Sequence, residues 1–515
     1  MEKGRIGMSA AHLPHAPSDF SKSLVTSYAV VGSFCVLALL TGACAVATAA
    51  RPPAVDHSTE MYFPPIGGPQ EIGDCTCWSS CYYYDTYTQA RDEGLDASSG
   101  DPDVICSPRF LFALIAQGAS GAECTEHAMA RLSDVGCAPV SKHSMSAPCT
   151  EWPTEEAWVA ALKNRTGTFH QIRADNDEGI ETVRQHIADG GCAVTRALFH
   201  QNYVDYGASA SGPGINNRVM YEGVGLNHLR HSLCICGYDD DRPYWDHRDQ
   251  QMHYGAFLIA NSAGPDWGWH NSTETGTRGF IWIAYTMFVE QEFGWYDNDD
   301  NPYTDPCYDN PPYPKVYYHD DRPHYRPRLY GVAGINHNAR NLLTFSGGVG
   351  PTDAPEFLGP EAIEQTDHGA IAIHDNRRVA VDLTDGASLI PPGATKNVFV
   401  SLALSASASE EATITSVDFY CDFDGDGIRT CVPVPMGSPL TVAPGTTGYV
   451  SASVTNPVPG DLDGDGDVDL SDLAQLLSHY GMTSGAQYED GDIDGDGDVD
   501  LSDLGALLAN YGIGT

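Results

Sequence analysis

The chain has 515 residues, 42% of them hydrophobic, and its 27 Lys and Arg against 69 Asp and Glu give a formal charge of −42. That length exceeds one ordinary domain, and the apolar content can fill several cores. With no Lys or Arg after Arg429, so acidic a chain lacks the basic surface that neutralises phosphates, which excludes nucleic-acid binding; its carboxylate clusters point to divalent cations instead.

At the N-terminus, Lys3, Arg5 and Lys22 precede an apolar stretch from about Ala29 to Val46 and the small-residue run Ala47-Thr48-Ala49-Ala50. This is the order of a secretory signal with an Ala-x-Ala cleavage site. An uncleaved membrane anchor is the alternative, because the run approaches the ~18 residues a spanning helix needs. Either way the remainder is expected to be secreted, periplasmic or on the cell surface. Of the 15 cysteines, Cys35 and Cys44 fall in that segment, leaving an odd number, which in an oxidising compartment implies a free thiol or an intermolecular bridge. Cys421 and Cys431 flank a short acidic loop and form a plausible local pair.

Three islands then supply a thiol, an imidazole and a carboxamide in chain order: Gly73-Asp74-Cys75-Thr76-Cys77-Trp78, His231-Ser232-Leu233-Cys234-Ile235-Cys236-Gly237-Tyr238, and Asn261-Ser262-Ala263-Gly264 with Trp267-Gly268 and Gly279-Phe280-Ile281-Trp282-Ile283 behind it. A cysteine nucleophile needs a base to make it a thiolate, and the base needs a third group to fix its ring. His231 opens an apolar strand, which places its ring at a strand edge; His228 reads as an ordinary neighbour. Asn261 follows the strand Phe257-Leu258-Ile259-Ala260, where its carboxamide can orient the imidazole.

These islands resemble the papain-like cysteine peptidases in their bacterial form, over roughly Tyr62 to Phe288. Ser107-Pro108-Arg109-Phe110-Leu111 and the loop from Gly118 to Gly121 are similar to that family's second helix and its substrate-lining glycine loop. The resemblance implies an α+β peptidase fold, polypeptide substrates, and catalysis by Cys75, His231 and Asn261. Cys77 is the rival nucleophile, since it precedes Trp78. Counting plus two, three and four from Cys75 gives Cys77, Trp78 and Ser79, a small, aromatic and small series suited to a helix's buried face; counting from Cys77 gives no aromatic. The count favours Cys75. The family's oxyanion Gln points to Gln70, although its spacing is one residue off from either cysteine. Two departures are Ala263, where the family places a Trp over the His to Asn bond that Trp267 or Trp269 would have to replace, and the roughly 25 residues between the expected cleavage site and Cys75, which leave no room for an inhibitory prosegment.

From Asp297 to Pro327 the chain is rich in Asp, Pro and Tyr and reads as a linker. From Leu329 to about Pro457, short β-rich runs such as Arg378-Val379-Ala380-Val381-Asp382-Leu383 alternate with Gly and Pro turns, the spacing of a β-sandwich. Asp422, Asp424 and Asp426 form an acidic turn there, or a fragment of a calcium loop.

The C-terminus carries a duplicated pattern. Asp461, Asp463, Asp465, Asp467, Asp469 and Asp472, with Gly466, recur as Asp492, Asp494, Asp496, Asp498, Asp500 and Asp503, with Gly497. Oxygen ligands at loop positions one, three, five, seven, nine and twelve, with Gly at six, are what a Ca²⁺ loop requires, position seven giving its backbone carbonyl. Each loop runs into one apolar helix, Leu473 to Tyr480 or Leu504 to Tyr511. The repeat resembles a type I dockerin, which implies docking to a cohesin domain; the pair that would read the partner is Leu-Ser in both copies.

The expected organisation is a signal or anchor (1–50), an α+β papain-like peptidase domain (51–296), a linker (297–328), a β-sandwich-like domain (329–457) and a small α-helical dockerin-like domain (458–515). The expected activity is peptide-bond hydrolysis. A catalytically weak module kept for binding, and an acyl transferase or amidase using the same three residues, are the alternatives.

Overall fold

The computed structural model describes residues 51–116, 124–148, 151–205, 211–225, 227–268, 278–290, 314–364, 373–423 and 430–513. The N-terminal segment, the Gly118–Gly121 loop, Trp269, Asp424, Asp426 and the side chain of His228 lie outside that description. Among the described residues no helix is long and apolar enough to cross a membrane.

After β1 (Ala54–Asp56), one helical run starts at α1 (Cys75–Cys77), widens through Trp78–Asp85 and continues as α2 (Thr86–Glu93). There follow α3 (Pro108–Ile115), α4 (Thr125–Asp134), α5 (Glu155–Leu162), β2 (Phe169–Arg173), α6 (Asp177–Ala188), β3 (Ala193–His200) and α7 (Gln201–Val204). Next come β4 (Ile215–Asn216), β5 (Val219–Met220), β6 (Asn227–Asp246), β7 (Gln251–Ala260), β8 (Phe280–Ala284), α8 (Tyr285–Val289) and β9 (Lys315–His319). The strands form a mostly antiparallel sheet in the order β2-β9-β3-β6-β7-β8-β5-β4, with β1 beside β6. This is an α+β arrangement.

Strand sequences explain why the sheet is covered on both faces. Cys234, Cys236, Ala256, Leu258, Ala260, Phe280 and Trp282 join one core with Cys77, Trp78 and Tyr83 of the helical run. Their alternate neighbours Leu233, Ile235, Phe257, Ile259, Ile281 and Ile283 join a second core with Ile180, Val183 and Ile187 of α6. Period-two alternation with both faces buried gives the near-continuous apolar runs read in the sequence. A disulfide joins Cys81 of the helical run to Cys137.

The expected linker is corrected in part. Residues 291–313 lie outside the description, but Lys315–His319 is a strand of this sheet, paired with β2 on one side and with β3 on the other. Its Val316 and Tyr317 are fully buried, so the segment is core rather than connector.

The following domain is a two-sheet β-sandwich. Its strands are β10 (Leu329–His337), β11 (Leu343–Val349), β12 (Phe357–Leu358), β13 (Ile373–Asp382), β14 (Thr395–Leu404), β15 (Ala412–Cys421), β16 (Thr430–Pro433), β17 (Leu440–Val442) and β18 (Thr447–Thr455). One sheet runs β13-β10-β15-β16 with β17 on β15, the other β12-β11-β14-β18. Cys421 and Cys431 are both free thiols. The register sets Cys431 against Tyr420 and Cys421 against Thr430, so the two sulfurs leave on opposite faces and do not form the expected pair.

Buried arginines lock this sandwich onto the helical layer. Arg340 donates to the Ala113 and Ala116 carbonyls at the end of α3, the latter at 2.9 Å, and its guanidinium lies 5.4 Å from the Trp152 ring centre. Arg165 Nη1 meets Asp382 Oδ2 at 2.6 Å with both groups buried. Asp382→Ala is expected to cost about 3–5 kcal/mol, because it strands a desolvated guanidinium. Denaturant unfolding of the full chain measures this, and a loss below about 1 kcal/mol would mean that the pair is dispensable.

The C-terminal repeat has its own small core of Val458, Leu462, Val468, Leu476, Ala486, Val499 and Leu507. Its helices α9 (Leu470–His479) and α10 (Leu501–Asn510) begin three residues earlier than the apolar pattern suggested. Asp469 and Asp500 cap them, each in a reciprocal box with Asp472 or Asp503, so the last loop positions already form the first helical turn. The two repeats interlock. Val468 exchanges backbone bonds with Gly512 and Ile513 near the chain's end, while Val499 and Gly497 bond to Gly481, Met482 and Ala486.

Candidate active site

The helical run delivers Cys75 at its first residue. Asp74 precedes it as the helix cap, and the first-turn N–H groups have no acceptor within the helix. Cys77 is fully buried and Trp78 and Ser79 nearly so, which is the buried series the sequence required of a helix starting at Cys75. Cys77 lies in the core with Trp78.

His231 sits on β6 against this sulfur. The Cys75 thiol and the imidazole share a side-chain hydrogen bond. Burial alone would raise the thiol's pKa, but the charge of His231, that hydrogen bond, the Ser232 backbone and Arg196 together hold it below its ordinary value. Burial alone would depress His231, but the Cys75 charge and hydrogen bond and the Asn261 side chain raise it above its ordinary value. Each shift favours the charged form of its group, thiolate at Cys75 and imidazolium at His231.

Asn261 follows β7 directly. His231 Nε2 donates to Asn261 Oδ1 at 2.6 Å, so Nε2 carries a proton and Nδ1 is the nitrogen left to serve Cys75. The carboxamide oxygen also accepts the Ser262 N–H at 2.8 Å. Tyr83, from the helical run, donates its hydroxyl to the Asn261 carbonyl at 2.8 Å and accepts the Gly67 N–H at 3.1 Å. The helical run that carries Cys75 therefore also braces Asn261. A second brace joins helix to strand, with the Ser79 and Ser232 hydroxyls 2.8 Å apart.

Gln70 lies beside the same segment. Its N–H donates to the Ser262 carbonyl at 2.9 Å, its side-chain oxygen accepts the Ser262 hydroxyl, and its Nε2 donates to the Ile72 carbonyl at 3.0 Å. One Nε2 proton remains available.

The cover over the imidazole is the expected one only in part, since Trp267 takes part but stands behind a tyrosine. With Ala263 in place of an aromatic, Tyr203 approaches His231 with ring centres 5.8 Å apart, and Trp267 packs behind it at 5.3 Å. Phe199 adds a third ring at 6.3 Å. Tyr203 carried no motif, because its place depends on how α7 folds back from β3. Asp74 was also missed as a charge. It is 1% exposed with Arg109 Nε 3.7 Å away, and burial pushes its carboxyl up to about 6 against the pull of Arg109.

At the C-terminus, carboxylate oxygens of Asp461, Asp463 and Asp472 come within 4.8 Å of one another, as do those of Asp467, Asp469 and Asp472, and of Asp492, Asp494 and Asp503. The ends of each loop are held by its own backbone: Asp461 accepts from Gly464 and Gly466, Asp472 from Leu462, Asp463 and Asp469, and the second copy repeats this with Asp492 and Asp503. Asp465 and Asp496 instead accept the Asp467 and Asp498 N–H groups. Asp467 and Asp498 each keep a buried carboxylate oxygen without a hydrogen-bond partner. Desolvation and the neighbouring carboxylates raise Asp463, Asp467, Asp494 and Asp498. Converging, partly unsatisfied oxygens of this kind fit a hard divalent cation.

No protein-family model matches the chain, and no curated protein matches it. Among solved structures it is similar to the bromelain protease from Ananas comosus, at 12% identity over 45% of this chain and 89% of that one, with a TM-score of 0.29. It is also similar to a structure from work on the mite allergens Blo t 1 and Der p 1, at 12% identity over 54% and 73%, TM-score 0.32. A third is the pair of cysteine protease and lectin-like domains of Cwp84, a surface layer associated protein of Clostridium difficile, at 11% identity over 70% and 82%, TM-score 0.33.

Proposed function

We propose that the chain is an exported papain-like cysteine peptidase of bacterial type, with a calcium-dependent docking module at its C-terminus. The observation that carries the peptidase reading is the line from Cys75 through His231 to Asn261, with the thiol and imidazole shifted toward each other. The thiolate attacks a peptide carbonyl while His231 Nδ1–H protonates the leaving amine, leaving a thioester on Cys75. His231 then takes a proton from water, the hydroxide adds to the thioester, and the acid leaves as the thiolate returns. The negative oxygen formed in each addition is met by the Cys75 N–H at the helix start and by the free Nε2 proton of Gln70. Asn261 holds the ring but takes no proton. Labelling of the full chain by an irreversible thiol-directed peptide epoxide tests this; a folded chain that remains unlabelled and cleaves no peptide would be a catalytically weak module instead.

Two further outcomes follow from the same geometry. His231→Ala is expected to lower kcat/KM by roughly 10²–10⁴, and Asn261→Ala by less, because Asn261 orients the ring without exchanging its proton. Equal, small losses measured for both would remove His231 as the base. The pH profile of kcat/KM should be a bell whose acid limb lies below an ordinary thiol's titration, since the Cys75 value is depressed, and whose alkaline limb lies above an ordinary imidazole's, since the His231 value is raised. A single rise centred on a normal thiol would contradict the ion pair.

In the docking module, Ca²⁺ would be held by Asp461, Asp463, Asp465, Asp467, Asp469 and Asp472, and by Asp492, Asp494, Asp496, Asp498, Asp500 and Asp503, and would cancel their mutual repulsion. Position seven gives its backbone carbonyl in the usual loop, and the buried spare oxygens of Asp467 and Asp498 offer a second contact there. Leu470, Leu477 and Tyr480, and their counterparts Leu501, Leu508 and Tyr511, are exposed on the helices. Each strip suits a cohesin-type partner that buries apolar surface.

A further inference from the structure

The helical run that carries Cys75 also carries, farther along, a group of sulfurs and a carboxylate that the mechanism above does not use. Asp85, Cys106 and Cys137 each bring one oxygen or sulfur atom within 4.8 Å of the others, and the Cys81 sulfur, bonded to Cys137, completes the group. All four residues are fully buried. Cys81 and Asp85 stand about one turn apart on the run. Cys106 is a free thiol held against that run, because its N–H donates to the Thr86 hydroxyl at 2.9 Å. A short antiparallel bridge sets Cys106 opposite Pro139, with the Val140 N–H on the Ile105 carbonyl and the Ser107 N–H on the Ala138 carbonyl, each at 2.8 Å. Cys137 lies two residues before Pro139, so the alternation of an extended chain turns its sulfur to the side of Cys106. Asp85 accepts the Gln89 amide at 3.3 Å and meets the Cys106 thiol.

We propose that the bridge from Cys81 to Cys137 is exchangeable, with Cys106 as the alternative partner of Cys137 and Asp85 as the carrier of the proton. The Cys106 thiol gives its proton to Asp85, and the thiolate attacks the Cys137 sulfur. The Cys106 to Cys137 bond forms as the Cys81 to Cys137 bond breaks, and the Cys81 thiolate takes the proton back from Asp85. One disulfide and one thiol stand on each side, so the step consumes no oxidant or reductant. Burial and the neighbouring carboxylate keep the proton on Cys106 at rest, which makes the exchange slow. Burial also pushes the Asp85 carboxyl up to about 7, a value at which it takes up a proton and returns it near neutral pH. The two bonds act differently on the fold. The observed one ties the helical run that begins at Cys75 to the segment after α4; the alternative ties the segment before α3 to the segment after α4 and leaves the run held by packing and hydrogen bonds alone. The exchange is therefore a built-in release of that run from its covalent anchor. Bond position reads it directly, whatever Cys75 does.

Mapping the bridge in the full chain over time at neutral pH tests this. Samples are unfolded in mild acid with N-ethylmaleimide to trap free thiols, digested without reductant, and their linked peptides identified by mass spectrometry. The wild type is expected to give the Cys81 to Cys137 peptide and, as incubation proceeds, the Cys106 to Cys137 peptide beside it. Asp85→Asn should slow the appearance of the second by roughly 10²-fold. Cys81→Ala, given glutathione disulfide as oxidant, should close the bond from Cys106 to Cys137, two thiols becoming one disulfide as glutathione disulfide becomes two glutathiones. A folded wild type whose Cys106 stays wholly labelled by maleimide at every time overturns the inference, as does a folded Cys81→Ala that keeps both Cys106 and Cys137 as thiols. An unchanged rate in Asp85→Asn overturns the proton carrier. Should Cys81→Ala not fold, the wild-type time course decides alone.

Discussion

Cys75→Ala should abolish both peptide hydrolysis and labelling by a thiol-directed epoxide, leaving a folded chain. The loss should exceed that of any other single change, because no other side chain can carry the acyl group. Cys77→Ala is the control. Cys77 is fully buried in the core beside Trp78, so a smaller side chain there leaves a small cavity and costs about 1–3 kcal/mol of stability, with the sulfur at the helix start untouched. Measurable activity should remain. A folded, inactive Cys77→Ala with a folded, active Cys75→Ala would reverse the assignment. Because Cys81 of the same run is tied to Cys137, far-ultraviolet circular dichroism should accompany each assay to separate misfolding from lost chemistry.

Chelation of Ca²⁺ should unfold Gly460 to Tyr511 while hydrolysis of a small peptide continues. Each loop places three carboxylates within 4.8 Å of one another, and the core beneath is seven small to medium apolar side chains, too little to offset that repulsion alone. Binding at a thousand-fold excess over Kd would add about 4 kcal/mol, a large part of what so small a module can have. The sheet that carries Cys75, His231 and Asn261 against its helices has separate cores on its two faces. Calorimetry of the full chain with and without Ca²⁺, with limited proteolysis to locate the change, measures this. An unfolding profile indifferent to Ca²⁺, with the last residues equally protected, would sink the docking-module reading.

What was legible in the sequence was what depends on local spacing. The twelve-residue loops state their own turns and the convergence of their carboxylates. The buried series after Cys75 was legible and places Cys75 at the helix start, because a helix's facing residues are fixed by its pitch. Asn261 was legible as the residue after an apolar strand, whereas His231, expected to open a strand, lies inside β6 because the pairing with β3 continues back to Asn227; the structure joins the two at 2.6 Å. What was hidden arises from non-local pairing. Lys315–His319 is too short to stand out beside a stretch rich in Asp, Pro and Tyr, and only its insertion between β2 and β3 shows it to be core. Tyr83 and Tyr203 have no motif, since their hydroxyl and ring reach the site from elements whose placement the sequence does not state.

The crossed backbone bonds of the C-terminal repeat give its two loops unequal exposure to wear. Val468, inside the first loop, takes its partners from Gly512 and Ile513, whereas Val499, inside the second, takes its partners from Gly481 and Met482 in the middle of the module. A cut between Tyr511 and Gly512 would therefore slacken the loop farther away along the chain and spare the nearer one. A chain cut there would keep one firm loop and one loose one, so that the two loops come apart in a fixed order rather than together.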